Sequence, residues 1–219
     1  MHTRTAAIVV AAGILSVAPV AHADVLVSNL DLYSGFTMAF SGFNTINTVL
    51  AAKFTTGADP VEVFNATLPM GNGNGHPTSS YRVFIYTSAG STPDALVGTF
   101  DTAGVLAPGT SPTDVTFESI NGIALDAGTD YWLAAKNTTG NYLGWAATYY
   151  NTESSSLGWT IDDSAVAVSN DAAGTWLDRS GFYNGDIPQF SLGGNVIPAP
   201  GALALLGIGG LVSARRRRN

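Results

Sequence analysis

No cysteine occurs among the 219 residues of this chain. Disulfide stapling and thiolate chemistry are thereby excluded, and the fold must rest on its apolar core. Histidine is nearly as scarce: beyond the first 23 residues only His76 remains. That count excludes a zinc site built from several His or Cys ligands. A Ser-His-Asp triad would have to use His76, which sits in the glycine-rich run "GNGNGHPT" (71–78). Catalysis needs a base held rigidly by a partner, so His76 reads as a solvated loop residue. Basic residues are also few. Residues 24–200 hold all 16 acidic residues but only Lys53, Arg82, Lys136 and Arg179 as bases, a net charge of −12. Such a surface repels phosphate backbones, so nucleic acid is not an expected partner. Finally, nothing in 24–195 keeps a 3.6-residue apolar period for three turns, which argues against helices there.

What is present is a chain rich in Gly, Thr, Ser, Asn and Asp, with short apolar runs between turn residues. β-Branched and aromatic residues predict strands over 25–30, 48–55, 61–68, 80–87, 113–120, 131–136, 142–150, 165–169 and 189–192. Turn signals recur between them: "GNGNGHP" (71–77), "SAGSTPD" (88–94), "LAPGTSP" (106–112), "DAGTD" (126–130) and "NTTGN" (137–141). Many short strands with Gly/Pro turns predict an all-β domain over 24–194. The expected form is an antiparallel β-sandwich of jelly-roll or immunoglobulin-like type.

The two ends have a different character. Arg4, the apolar run 6–20 and Ala21-His22-Ala23 form the charged, apolar and small-x-small parts of a secretory signal. Cleavage is expected after Ala23, before Asp24. An exported chain without cysteine points to a bacterial source. At the other end, 195–219 begins with a linker and continues into the apolar stretch 201–214. Fourteen residues span roughly 21 Å as a helix, against a hydrocarbon core of about 30 Å. Extension back through Ile197 places Pro198 and Pro200 in the first turn, where proline is tolerated. Arg215, Arg216, Arg217 and Arg218 then fall on the cytoplasmic side. A transmembrane helix with the domain outside is the expected arrangement.

A Pro-x-Pro motif, a brief apolar helix and a terminal arginine cluster together resemble the PEP-CTERM sorting signal of Gram-negative bacteria. The motif positions are Pro198, Ala199 and Pro200, alanine standing where that family usually has glutamate. The resemblance implies processing by an exosortase near the motif, transient anchoring in the inner membrane and final residence at the cell surface or in a biofilm matrix. The stretches "SYRVFIYTSAGSTPDALVG" (80–98), "GIALDAGTDYWLAAKNTTGNYLGWAAT" (122–148) and "QFSLGG" (189–194) are similar to choice-of-anchor R domains. That similarity implies an extracellular β-rich module without enzymatic activity.

Among carboxylates, Asp162 and Asp163 are adjacent, so on a strand they face opposite ways and cannot share a substrate. No other pair is marked for acid–base work, and no enzyme is expected. Calcium prefers carboxylate and carbonyl oxygens from loops. Asp126 and Asp130 in "DAGTD", and Asp171 in "SNDAAGTWLD" (169–178), are the local candidates, though neither loop follows a known calcium repeat. Aromatic residues are dense in 131–183. Tyr142, Trp145, Tyr149 and Tyr150 are the candidate ligand-binding aromatics of a carbohydrate-binding reading, with extracellular polysaccharide as partner. Trp132, within a strand, is expected in the core.

Overall fold

The computed structural model describes residues 23–30, 48–72, 77–107, 112–139, 144–148, 153–155, 157–179 and 187–198. Most of the expected signal, the stretch 201–214 and Arg215 to Arg218 lie outside them. The strands, in chain order, are β1 (Asp24–Ser28), β2 (Val49–Thr55), β3 (Val61–Gly71), β4 (Ser79–Ala89), β5 (Thr92–Thr99), β6 (Gly104–Leu106), β7 (Thr113–Leu125) and β8 (Asp130–Asn137). There follow β9 (Gly144–Trp145), β10 (Ala147–Thr148), β11 (Ser154–Ser155), β12 (Thr160–Ser169), β13 (Leu177–Asp178), β14 (Ile187–Pro188) and β15 (Ser191–Val196). Among the described residues there is no helix.

Alternation drives this arrangement. In β4, Tyr81, Val83 and Ile85 are fully buried, while Arg82 is exposed and Phe84 and Tyr86 are half-buried. Period two sends these two sets to opposite faces of the sheet. The strands form a six-stranded sheet ordered β11-β1-β15-β3-β7, with β9 also on β3. A seven-stranded sheet runs β13-β12-β2-β8-β4-β5, with β6 also on β4. A short pair, β10-β14, stands apart. Each of these pairings is antiparallel. The two large sheets curl around one shared core that takes Val63, Leu68 and Phe117 from the first and Phe54, Ile85 and Leu133 from the second. Phe54 stacks on Trp159 at 5.7 Å between ring centroids and meets Phe190 edge-on at 6.1 Å. Such aromatic pairs contribute about 0.5–1.5 kcal/mol beyond their buried area.

Two local departures from the sequence reading have physical causes. The expected strand over 142–150 is, among the described residues, two short pieces separated by Ala146. There the Ala146 N–H donates to the Pro69 carbonyl and its own carbonyl accepts from Gln189 N–H. The segment thus passes from pairing with β3 to pairing with β14. The stretch 92–99, within and after the turn signal "SAGSTPD", is the strand β5. The turn contracts to Gly90 and Ser91, with Gly90 at a positive φ of 73°. Pro93 is tolerated because β5 lies at a sheet edge.

Candidate functional site

The outward face of the seven-stranded sheet is built from residues that alternate with the core. On β2 these are Val49, Ala51 and Lys53; on β8, Trp132, Ala134 and Lys136; on β4, Arg82, Phe84 and Tyr86. Register sets them in rows across the strands. Val49, Lys136 and Arg82 form one row, Ala51, Ala134 and Phe84 the next, and Lys53, Trp132 and Tyr86 the third. On β12, Ala167 extends the middle row beside Ala51.

This face carries its own apolar cluster, distinct from the shared core. Val49, Ala51, Trp132, Ala134 and Ala167 are buried in it, with Phe84, Tyr86, Ala173 and Trp176 packed against it. The three alanines explain the geometry: small side chains leave a shallow trough, and the segment after β12 lies in it. Trp176 meets Tyr86 edge-on at 5.6 Å, and Phe84 and Tyr86 are 6.2 Å apart at a tilt of 49°. Trp132 is anchored by its Nε1, which donates to Ser88 Oγ of the neighbouring strand β4 at 3.0 Å. Phe84, Tyr86 and Trp176 are only partly buried. Burial raises the pKa of the Tyr86 phenol, which stays protonated.

The covering segment is tied down by its first residues. Ser169 Oγ donates to Asp171 Oδ1 at 2.6 Å, Thr175 N–H donates to the same oxygen at 2.7 Å, and Ala173 N–H donates to Ser169 Oγ at 3.0 Å. Ala172 and Ala173 adopt positive φ of 66° and 75°, a region that L-residues occupy at a cost. The hydroxyl of Ser169 and the backbone N–H of Thr175 hold the Asp171 carboxyl down to a pKa of about 2.

At the opposite corner, Lys53 Nζ lies 2.7 Å from Asp130 Oδ2, and Thr55 Oγ1 donates to Asp130 Oδ1 at 2.7 Å. Those two contacts lower the Asp130 pKa. Asp126 caps the turn through its backbone: its N–H donates to Tyr131 Oη at 3.0 Å and its carbonyl accepts from Thr56 Oγ1 at 2.6 Å.

The residues expected from sequence fall as follows. Asp130 has an ammonium where calcium would need an open oxygen, and Asp171 uses its Oδ1 to fold its own loop. No group of three His, Asp or Glu side chains gathers among the described residues. Trp145, expected as a ligand-binding aromatic, is instead fully buried, and its Nε1 donates to the Gln189 carbonyl at 2.7 Å. Its two-residue strand β9 pairs with Met70 and Gly71 and so turns the ring inward. Tyr142, Tyr149 and Tyr150, with His76, lie outside the described residues. Trp132 is buried as expected, but in the outer cluster rather than between the sheets. Phe84 and Tyr86 were not singled out from sequence. Their signal was legible in the register of "YRVFIY", whose alternate residues Arg82, Phe84 and Tyr86 share a face.

Ala23 and Asp24, flanking the expected signal cleavage, begin the described chain, Asp24 opening β1. Pro198 is its last described residue, two positions beyond β15. Ala21, Ala199 and Pro200 lie outside it. A second concavity, of about 330 Å³, opens between Leu30, Pro69, Pro112, Asp114 and Gln189. Asp114 is the single acidic residue among its described lining residues. No protein-family model matches the chain, and no curated protein matches it.

Proposed function

We propose that this chain is an exported, surface-sorted protein with a structural or adhesive role in an extracellular polysaccharide or biofilm matrix. Its β-domain is an antiparallel sandwich of jelly-roll or immunoglobulin-like type without enzymatic activity. Residues 1–23 direct export. The tail holds the chain in the inner membrane until an exosortase processes it near Pro198, Ala199 and Pro200.

One observation supports this reading: β1, which follows the expected cleavage point, and β15, which precedes the Pro-x-Pro motif, are neighbouring strands. Asp24 pairs with Gly194 and Val25 with Gly193 in antiparallel register. The start of β1 and the end of β15 therefore leave the domain at the same end. The final backbone hydrogen bond near this end runs from Ile197 N–H to the Pro60 carbonyl at 2.8 Å. A signal peptide and a sorting helix that enter one membrane are consistent with such a common exit.

A second reading, a carbohydrate-binding module, draws on the partly buried Phe84, Tyr86 and Trp176 gathered on one sheet face. Aromatic faces of this kind stack on the apolar faces of sugar rings.

Intact mass and cell fractionation of the native protein test the first reading. A matrix-associated species beginning at Asp24 and ending near Pro200 is the expected result. A membrane-bound species that still carries Arg215 to Arg218 overturns exosortase processing.

A further inference from the structure

The geometry points to an anion-binding subsite at Arg82 and Lys136, part of a strip on the outer face of the seven-stranded sheet that takes an acidic polysaccharide. The inference rests on the reading of this face as a glycan surface and names the ligand class.

Arg82 on β4 and Lys136 on β8 are direct cross-strand partners. They point outward, Arg82 exposed and Lys136 partly so. Like charges placed opposite each other on a sheet are destabilising. The domain has a large excess of acids to relieve them, 16 against four bases over 24–200. Yet neither makes an ion pair among the described residues; Lys53, one strand further, has Asp130 at 2.7 Å. A chain so acidic that leaves two neighbouring cations uncompensated among its described residues departs from local consistency, and such departures mark functional positions.

The surroundings indicate what the anion is attached to. Phe84 follows Arg82 on the same face, and Tyr86 follows Phe84, with Trp176 edge-on to Tyr86. From Arg82 to Tyr86 the strip runs about 13 Å at 3.3 Å per residue, long enough for more than one sugar ring. On the other side of the cations, Ser80 Oγ and Thr138 Oγ1 lie 2.6 Å apart and supply hydroxyl partners. Cations beside flat apolar rings, flanked by hydroxyls, match a polymer that carries carboxylates on rings with apolar faces. A uronate polysaccharide has that chemistry. A nucleic acid and a uronate polymer alike meet the repulsion of the rest of the domain; the uronate is favoured because it carries its carboxylate on the same ring whose apolar face would stack on Phe84 and Tyr86.

The test uses the purified full-length chain in nonionic detergent, with polygalacturonate and neutral dextran as probes. Polygalacturonate is expected to bind, more weakly as salt is raised, and dextran at least about tenfold more weakly. Arg82→Gln and Lys136→Gln are each expected to weaken polygalacturonate binding about tenfold, the scale of a hydrogen bond to a charged group. Their melting temperatures should equal or exceed that of the parent, because a like-charge pair is removed. Phe84→Ala is expected to weaken binding without changing its salt dependence. Equal binding of dextran, no binding of polygalacturonate, or indifference to both glutamine variants overturns the proposal. So does self-association that these variants abolish and polygalacturonate does not compete. None of these outcomes depends on how the tail is processed.

Discussion

Asn29 and Phe190 are joined by two hydrogen bonds: the Asn29 N–H donates to the Phe190 carbonyl at 3.1 Å, and the Phe190 N–H donates to Asn29 Oδ1 at 2.7 Å. The Asn29 carbonyl also accepts from Gln189 Nε2 at 3.0 Å. The Asn29 side chain thus satisfies a buried backbone N–H 161 residues away. Asn29→Ala removes the acceptor and leaves the Phe190 N–H buried without a partner, a loss of about 1–3 kcal/mol. Chemical denaturation of the variant measures it. An unchanged midpoint would show that water replaces the amide.

Trp145 and Trp176 both belong to the aromatic-dense stretch 131–183 but serve different layers, and substitution should separate them. Trp145→Ala empties a fully buried site and strands the Gln189 carbonyl, with an expected loss of about 3–5 kcal/mol. Trp176→Ala removes a partly buried ring from the outer face and is expected to lose about 1 kcal/mol. Its larger effect should be on polysaccharide binding. Thermal melts paired with a polygalacturonate titration discriminate the two. Comparable destabilisation by both would make Trp176 a core residue.

The segment over the outer face should loosen in acid. The Asp171 carboxyl has its pKa lowered from 3.8 to about 2 by its contacts with Ser169 and Thr175. A depressed folded-state pKa contributes stability that is present above the unfolded value and lost as pH falls through the folded one. The segment is therefore expected to be held above about pH 4 and released progressively towards pH 2. Trp176 reports the release by fluorescence, with Trp176→Phe as the reference that silences the signal. Asp171→Asn should abolish this acid transition. Its persistence in that variant would assign it to another group.

How much of this was legible in the sequence differs between the layers of the molecule. The all-β class was, because runs such as 61–68 and 80–87 alternate with period two and nothing in 24–195 keeps a helical period for three turns. The strand β5 was not, because Pro93, Asp94 and Gly98 all speak against a strand and only its edge position admits them. Trp145 was misplaced because aromatic density says nothing about facing. The residue is turned inward by pairing with β3, 74 or more positions earlier in the chain. The outer strip was within reach through the spacing of Arg82, Phe84 and Tyr86. The pairing of Arg82 with Lys136 needed the register of β4 against β8, which is a long-range property. The reading of the two ends rests on composition alone and lies almost wholly outside the described residues, whereas the adjacency of β1 and β15 came only from their pairing.

That pairing makes the limits of the domain testable by truncation. β15 lies between β1 and β3, so it contributes to two ladders at once. Its two glycines are fitted closely: a Cβ on Gly194 would meet the Glu62 carbonyl oxygen and the Leu26 side chain. A chain ending at Pro200 keeps β15 and the Ile197 bond to Pro60, and is expected to melt at the temperature of the full chain. A chain ending at Gln189 loses the strand, exposes the edges of both neighbours and removes Phe190 from its contact with Phe54. It should fail to give a cooperative melt. Gly194→Ala in the longer version should destabilise without unfolding, because a shift at the Glu62 backbone is costly but local. A shortened chain at Gln189 that still melted cooperatively would show that β1 and β3 close on each other, and the shared exit of the two ends would then lose its structural basis.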